Sequence, residues 1–248
     1  MAMAGKNCVA IAVDKRFGSG PQMINIIPRT VLIPHSKVMI GLVGLEGDVQ
    51  SLAKEVSIQI STKVGRHLGF GGWSGSASDS GRAGSSSMDC DMQISPKSAS
   101  MLMSHMLYRR RNSPYYVEPI IAGLQEITTE TDAHNSEASD SEHDIQNENI
   151  LERGIGISYK PFLSTQDCIG AQSKSTQFVC TGAASKSLYG TAEAMWRPDL
   201  EPEELIQVLG RAFLSAMERD CLSGYGAVLY LMVGGRGVER IELASRND

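Results

Sequence analysis

The sequence lacks an apolar stretch long enough to cross a membrane. Its longest apolar runs, 38–45 and 227–233, are far shorter than the roughly 20 residues that a spanning helix needs. The apolar run 8–13 is too short, and too closely flanked by Lys6 and Asp14, for a signal peptide. No N-x-S/T glycosylation acceptor occurs either. We therefore expect a soluble protein that is not secreted and has no membrane partner.

Cysteine is scarce, and its pattern does not suggest disulfides. The five cysteines contain no C-x-x-C pair and are odd in number; they are Cys8, Cys90, Cys168, Cys180 and Cys221. Secreted disulfide scaffolds are short and usually have an even number of cysteines. We interpret these residues as free or buried thiols in a reducing compartment.

Motifs that bind metals or phosphates are also absent from the sequence. It contains no zinc-ligand spacing, no H-E-x-x-H pair, no EF-hand loop and no complete phosphate-binding loop. We therefore predict no metal and no cofactor.

Positive charge is in the minority, with 23 Lys and Arg against 28 Asp and Glu, a formal net charge of −5. Nucleic-acid-binding proteins usually carry a basic patch. The one basic run here, Arg109, Arg110 and Arg111, falls at the end of a predicted helix, where cations interact favourably with the helix dipole. We therefore predict no nucleic-acid partner.

Two tracts contain little that could pack into a core. Residues 69–95 include 6 Gly and 8 Ser, and residues 128–149 include 7 Asp or Glu with no Lys or Arg. Such segments bury too little apolar surface to offset the entropy of ordering. We predict two mobile loop insertions in a single domain that spans 1–248. Ser139 and Ser141 each precede a carboxylate by three residues, which suits an acid-directed kinase, although an unmodified loop is an equal alternative.

The remaining chain predicts blocks of strands and helices. Short apolar or alternating runs predict strands at 8–13, 38–43, 117–124, 154–159, 178–181, 227–233 and 238–243. Helical spacing predicts helices after Gly47-Asp48, after Ser95-Pro96, over 185–195 and after Pro202. The order is strands, two helices, strands, two helices, strands. Blocks that do not strictly alternate predict an α+β fold, with helices layered on antiparallel sheets.

Short strings along the chain resemble one family in their order and spacing. They are G-K-N-C-V-A-I-A at 5–12, R-F-G at 16–18, I-G-L at 40–42, P-Y-Y-V-E-P-I-I-A-G-L at 114–124, Y-G at 189–190 and R-D at 219–220. The family is that of the β-type subunits of the eukaryotic proteasome core particle. The first and fourth strings are similar to its third β-type members in particular.

The resemblance implies the N-terminal-nucleophile hydrolase fold, a four-layer αββα sandwich of two antiparallel sheets between helix layers. It also implies partners, namely other β-type and α-type subunits in stacked heptameric rings. Such a barrel degrades ubiquitin-tagged proteins in the cytoplasm and nucleus. A stand-alone binding module that uses the acidic tract is a weaker alternative.

Active members of this family use an N-terminal threonine as nucleophile and its own α-amine as base, supported by lysine, aspartate and serine side chains. The resemblance places the nucleophile upstream of Met1, the lysine on Thr30 and one serine on Ala183. Asp14, Asp220 and Ser223 match the family pattern. Because the constellation is incomplete, we expect a non-catalytic subunit.

Two further interpretations stay open. The chain could be an active hydrolase with a misassigned N-terminus, and Cys8 could then serve as nucleophile only if the first seven residues were removed. The resemblance also places Asp167 and Gly170 where they would line the substrate pocket of a neighbouring active subunit. A simple strand-to-strand turn is the equally weighted alternative for that segment.

Overall fold

A computed structural model describes residues 1–20, 22–28, 30–35, 37–67, 94–127 and 158–244. Almost all of the two predicted insertions lies outside these ranges, as do Cys90, Ser139 and Ser141. The mobility of the insertions and the phosphorylation of the two serines therefore stay predictions.

The described ranges contain four helices and twelve strands. The helices are α1 (Glu46–His67), α2 (Pro96–Arg109), α3 (Ser185–Met195) and α4 (Pro202–Met217). The strands are β1 (Ala2–Gly5), β2 (Cys8–Asp14), β3 (Arg16–Ser19), β4 (Gln22–Ile26), β5 (Val31–His35), β6 (Val38–Gly44), β7 (Val117–Ile127), β8 (Ser158–Gln166), β9 (Gln172–Ser175), β10 (Phe178–Val179), β11 (Ala227–Val233) and β12 (Val238–Leu243). Among these helices, none is both long and apolar enough to span a bilayer.

Ten of the strands form two antiparallel sheets. The first sheet has the order β10-β1-β2-β11-β12 and the second has the order β5-β6-β7-β8-β9, while β3 and β4 pair only with each other. In the first sheet Ile11 lies opposite Tyr230, and in the second Ile40 lies opposite Ile121. All of the strand pairs are antiparallel, as the block order of the sequence predicts.

The two sheets stack face to face, because their central strands are apolar on both faces. Along β2, Ala10 and Ala12 pack towards α3 and α4, whereas Ile11 and Val13 pack against the second sheet. The other face of the second sheet packs against α1 and α2. Alternation along a strand sends successive side chains to opposite faces, so a continuous apolar run can serve two cores. The result is the predicted four-layer αββα sandwich.

Several local predictions are confirmed, and others are wrong. Helix α2 begins after Ser95, whose hydroxyl oxygen accepts a hydrogen bond from Ser98 N at 3.1 Å, and α3, β11 and β12 have the predicted bounds. The cap predicted at Gly47-Asp48 is wrong, because α1 already begins at Glu46. The Asp48 carboxylate instead accepts a bond from Tyr116 N at 3.0 Å, so a tertiary contact replaces the capping role.

The strand predicted at 154–159 is confirmed at Ser158 and Tyr159 and extends further than predicted towards the carboxyl terminus. The described part of β8 spans Ser158–Gln166, while residues 154–157 lie outside the described ranges. Strand β8 mixes polar residues with Tyr159, Phe162 and Leu163 and contains a proline, Pro161, and so lacks the longer apolar run that predicts a strand. Pairing of residues 158–165 with β7 holds it in the sheet.

Candidate functional site

A cavity of about 750 Å³ opens between the two sheets where β2, β6 and β7 end or begin. Apolar side chains make up most of its wall, and they include Phe213 and Leu188 from the helices that cover the first sheet. The side chains with polar groups that line it are Asp14, Tyr116, Glu118, Cys168, Thr181 and Ser223. A concave, mostly apolar cavity with a few convergent polar groups is typical of binding and active sites.

Asp14 enters this cavity because it is the last residue of the buried strand β2. The two cations that follow it in sequence bind elsewhere. Lys15 Nζ lies 3.0 Å from the Glu242 carboxylate, and the Arg16 guanidinium donates to the Leu222 carbonyl oxygen at 3.1 Å. Neither cation lines the cavity.

The loop after α4 brings Ser223 into the cavity and holds Asp220 behind it. Ser223 Oγ donates to one Asp220 carboxylate oxygen at 2.6 Å, and Leu222 N donates to the other at 3.1 Å. Three consecutive residues of this loop, Gly224, Tyr225 and Gly226, have positive φ, at 145°, 59° and 92°. Asp220 therefore folds the loop and does not itself line the cavity, which agrees with a turn-forming carboxylate.

The segment after β10 contributes Thr181, Gly182 and Ala183 to the cavity wall. Thr181 Oγ1 donates a short hydrogen bond to the Glu118 carboxylate, and Gly182 N lies 3.3 Å from the same oxygen. Because Glu118 belongs to β7 of the second sheet and Thr181 follows β10 of the first, this contact joins the two sheets at the cavity. Sequence reasoning did not identify either residue as part of a site. The available signal was a carboxylate in the otherwise apolar strand 117–124.

Thr30, which the resemblance assigns to the lysine position, does not line the cavity. It precedes β5, and its carbonyl oxygen accepts a bond from Leu42 N at 3.0 Å. Among the described residues that line the cavity there is no Lys, Arg or His, whereas Asp14 and Glu118 supply two carboxylates. The structure thus brings together Asp14, Ser223 and Ala183, with Asp220 behind Ser223, and leaves Thr30 apart. The family roles of these residues stay predictions.

The segment 167–170 forms a compact turn between β8 and β9. One carboxylate oxygen of Asp167 accepts bonds from Ile169 N at 2.9 Å and Ala171 N at 2.7 Å. Gly170 has a φ of +90°, and a Cβ there would lie 2.5 Å from the Ser104 carbonyl oxygen of α2. This geometry agrees with a strand-to-strand turn. A role beside a neighbouring subunit stays a prediction.

Cys8 is poorly placed to act as a nucleophile. Its side chain is buried on the helix-covered face of the first sheet, where Sγ lies 3.8 Å from the Leu200 carbonyl oxygen. Burial, followed by the nearby Glu201 carboxylate, raises the pKa of the Cys8 thiol to about 11. The thiolate is the nucleophilic form, so this environment opposes reactivity. Burial also raises the pKa of the Cys180 thiol to about 11.

Alkylation should separate these thiols from Cys221, which is exposed. We expect iodoacetamide at pH 8 to modify Cys221 at least about 100-fold faster than Cys8 or Cys180, since a pKa raised from 9.0 to about 11 lowers the thiolate fraction by that factor. Peptide mass spectrometry over time measures the rates. Both buried thiols should react in denaturant, which serves as the control. Comparable rates for Cys8 and Cys221 in the folded chain would contradict the assignment.

No group of three or more His, Cys, Asp or Glu side chains in the described ranges could hold a metal ion. The side chains of the described cavity wall offer carboxylates, hydroxyls, one thiol and apolar surface, and Met1, which carries the terminal amino group, also lines it.

Comparison with known proteins identifies similar chains over nearly the whole length. The sequence model of the proteasome subunit family matches residues 1–66 and 146–232. Proteasome subunit beta type-3-A of Arabidopsis thaliana is 34% identical over 248 residues, which cover 100% of this chain and 95% of the relative. Proteasome subunit beta type-3 of Picea mariana is 32% identical over 97% of this chain and 91% of the relative. Its namesake in Drosophila melanogaster is 29% identical over 100% of this chain and 95% of the relative.

Proposed function

Because this chain belongs to the proteasome subunit family, we propose that it is a non-catalytic structural subunit of the β ring of the proteasome core particle. As a proteasome component it assembles with other proteasome subunits. We further propose that these other subunits are α-type and β-type subunits in stacked heptameric rings. The particle degrades ubiquitin-tagged proteins in the cytoplasm and nucleus, and this subunit supports its assembly.

The absence of a Lys, Arg or His side chain from the described wall of the cavity is the observation that supports the non-catalytic part of the proposal. An amine that acts as a general base must be neutral, and a nearby cation favours the neutral form. Asp14 and Glu118 have the opposite effect, because carboxylates stabilise a protonated amine. Thr30 has no basic group and lies outside the cavity, and Ala183 contributes only a methyl group where the resemblance expects a hydroxyl. These features support a scaffold role.

An active N-terminal-nucleophile hydrolase is the second candidate. One observation favours it, namely that Asp14 and Ser223 line the same cavity and that Ser223 is bonded to Asp220. Catalysis by this family needs the complete constellation, so the presence of these three members does not outweigh the absence of a lysine side chain from the described wall of the cavity.

Labelling distinguishes the two candidates. We expect an electrophile directed at N-terminal threonine to leave this chain unmodified in intact particles purified from cells, while it labels other β-type subunits of the same particle. The labelled subunits act as the internal control, and intact-mass spectrometry reads the result. A covalent adduct on this chain would establish the second candidate instead.

Purification and imaging test the rest of the proposal. A tagged full-length chain should sediment with other proteasome subunits as a large particle, and the tag should be found in both cytoplasm and nucleus. Recovery only as a free monomer or homo-oligomer would contradict the structural role. Exclusion from either compartment would contradict the proposed localisation.

A further inference from the structure

Three consecutive arginines form a concentrated positive surface at the end of α2. Arg109 is the last residue of the helix, and Arg110 and Arg111 belong to the turn that follows. All three are exposed. Within the described ranges none of them forms an ion pair, although Lys6, Lys15, Lys37 and Arg240 all do. The helix dipole accounts for a cation in the last turn, but its effect falls off beyond that turn.

Two of these guanidinium groups are held in place by aromatic rings. Arg110 Cζ lies 4.5 Å from the centre of the Tyr115 ring, and Arg111 Cζ lies 5.1 Å from that of Tyr108. Tyr115 is itself buried, and its hydroxyl donates to the Glu55 carboxylate of α1 at 3.3 Å. Stacking on an aromatic face leaves the N–H groups at the guanidinium edge available to a ligand.

The backbone of this turn is equally well ordered. Arg110 N donates to the Leu107 carbonyl at 3.0 Å, and Arg111 N donates to the Tyr108 carbonyl at 3.1 Å. Ser113 N then donates to the Arg110 carbonyl at 2.9 Å. Binding therefore requires little additional ordering of the chain, which lowers its entropic cost.

The two carboxylates that act on Tyr115, those of Glu55 and Asp48, already have other partners. Glu55 accepts the bond from Tyr115, and Asp48 accepts a bond from Tyr116 N at 3.0 Å. Next to Arg111, Tyr108 is 57% exposed. Arginine and tyrosine are enriched in protein–protein interfaces and among the residues that contribute most to binding. The surface thus combines an excess of positive charge with exposed aromatic area.

We propose that Arg109, Arg110 and Arg111, together with Tyr108, form a docking surface for an acidic segment of another proteasome subunit. Carboxylates are the complementary group, because a guanidinium edge can bind both oxygens of a carboxylate at once. The inference rests on the proposed function in one respect, namely that the partner is a subunit of the same particle.

Zero-length crosslinking in assembled particles tests this directly. Lysine at positions 109, 110 and 111 (Arg109→Lys, Arg110→Lys, Arg111→Lys) keeps the charge and adds amines that a carbodiimide can join only to carboxylates in contact. We expect crosslinked peptides between these positions and Asp or Glu of another subunit. The pair Lys6 and Glu201, 3.1 Å apart, is the internal control for coupling. A crosslinked control pair with no link from 109–111 to another subunit would overturn the proposal.

Charge reversal gives an independent measurement. We expect Arg109→Glu, Arg110→Glu and Arg111→Glu together to reduce the share of the tagged chain found in particles at least fivefold relative to wild type. The matched control reverses three exposed arginines elsewhere, Arg197, Arg211 and Arg219, and should reduce it less than twofold. Equal incorporation of the 109–111 variant and wild type would overturn the proposal of a docking surface but would leave the proposed function intact.

Other outcomes identify which inference fails. If wild type itself is never found with other proteasome subunits, the proposed function fails and not merely the docking surface. If nuclease treatment of wild-type particles newly exposes 109–111 to arginine-specific modification, the anion bound there is a nucleic acid and the proposal is overturned. Limited proteolysis of the free variants confirms that loss of incorporation does not result from unfolding.

Discussion

Replacing Gly44 by alanine is expected to destabilise the protein by about 3 kcal/mol, at the upper end of the cost of a strained backbone conformation. Gly44 ends β6 at the cavity with a φ of +149°, and a Cβ there would lie 2.0 Å from the Tyr116 carbonyl oxygen. That oxygen cannot move away easily, because it accepts a bond from Leu45 N at 2.9 Å and precedes the paired strand β7. Chemical unfolding of the full-length chain measures the loss.

Gly47 provides the matched control for this substitution. It lies in the first turn of α1, and no atom lies within 4 Å of the position that a Cβ would take. Gly47→Ala should change the free energy of unfolding by no more than about 1 kcal/mol, towards greater stability, because alanine is the better helix former. If Gly44→Ala and Gly47→Ala unfold at the same denaturant concentration, the close approach of β6 and β7 described here is wrong.

Arg16→Met is expected to lower the free energy of unfolding by about 3 kcal/mol. This loss is clearly larger than that caused by an ordinary surface substitution. The Arg16 side chain is buried, with the residue only 5% exposed, and donates to the carbonyl oxygens of Leu222 at 3.1 Å and Gly20 at 2.7 Å. Methionine fills similar volume but leaves both acceptors without their charged donor, and each such loss costs on the order of 1–3 kcal/mol. The loop that carries Asp220 and Ser223 should also become more susceptible to proteolysis.

An exposed arginine tests whether the effect arises from these two bonds. Arg236 lies in the turn between β11 and β12 and is exposed, so Arg236→Met should change stability by less than about 0.5 kcal/mol. The stability of Arg16→Lys should lie between those of Arg16→Met and Arg236→Met, because a lysine ammonium lacks the planar fork that reaches two carbonyls. Thermal unfolding of the three variants in parallel reports the order. Equal midpoints for Arg16→Met and Arg236→Met would show that Arg16 does not hold the loop.

The central strands and the helices were predictable, because their signal is local. The apolar runs that become β2, β6 and β11 are buried on both faces, and the stripe of α4 appears as apolar residues at helical spacing from Leu205. In contrast, β9 consists of Gln, Ser and Lys, and nothing in that composition favours a strand. It is held in the sheet by pairing with β8, which becomes possible only once β8 is in place.

The candidate site was predictable in part, through the resemblance and not through spacing. That resemblance named Asp14, Ser223 and Ala183, and the fold places all three on one cavity. It did not name Glu118 as a site residue, although Glu118 lies within one of the strings that carry the resemblance. A string identifies a family, whereas a role depends on what the side chain contacts in the folded protein.

By itself the sequence determined the secondary structure of the most apolar segments, the layered α+β architecture and the family, because each depends on the local order of residue types. Only the tertiary structure decided the contacts around the cavity. Glu118 accepts a hydrogen bond from Thr181, 63 residues away in the sequence, and Arg16 donates one to Leu222, 206 residues away. Such pairs form because two sheets stack and a distant loop returns to them, so their partners follow from the packing of the whole chain. The same packing leaves Arg109, Arg110 and Arg111 on the surface, stacked on tyrosines and without a counter-charge in the described part of the chain.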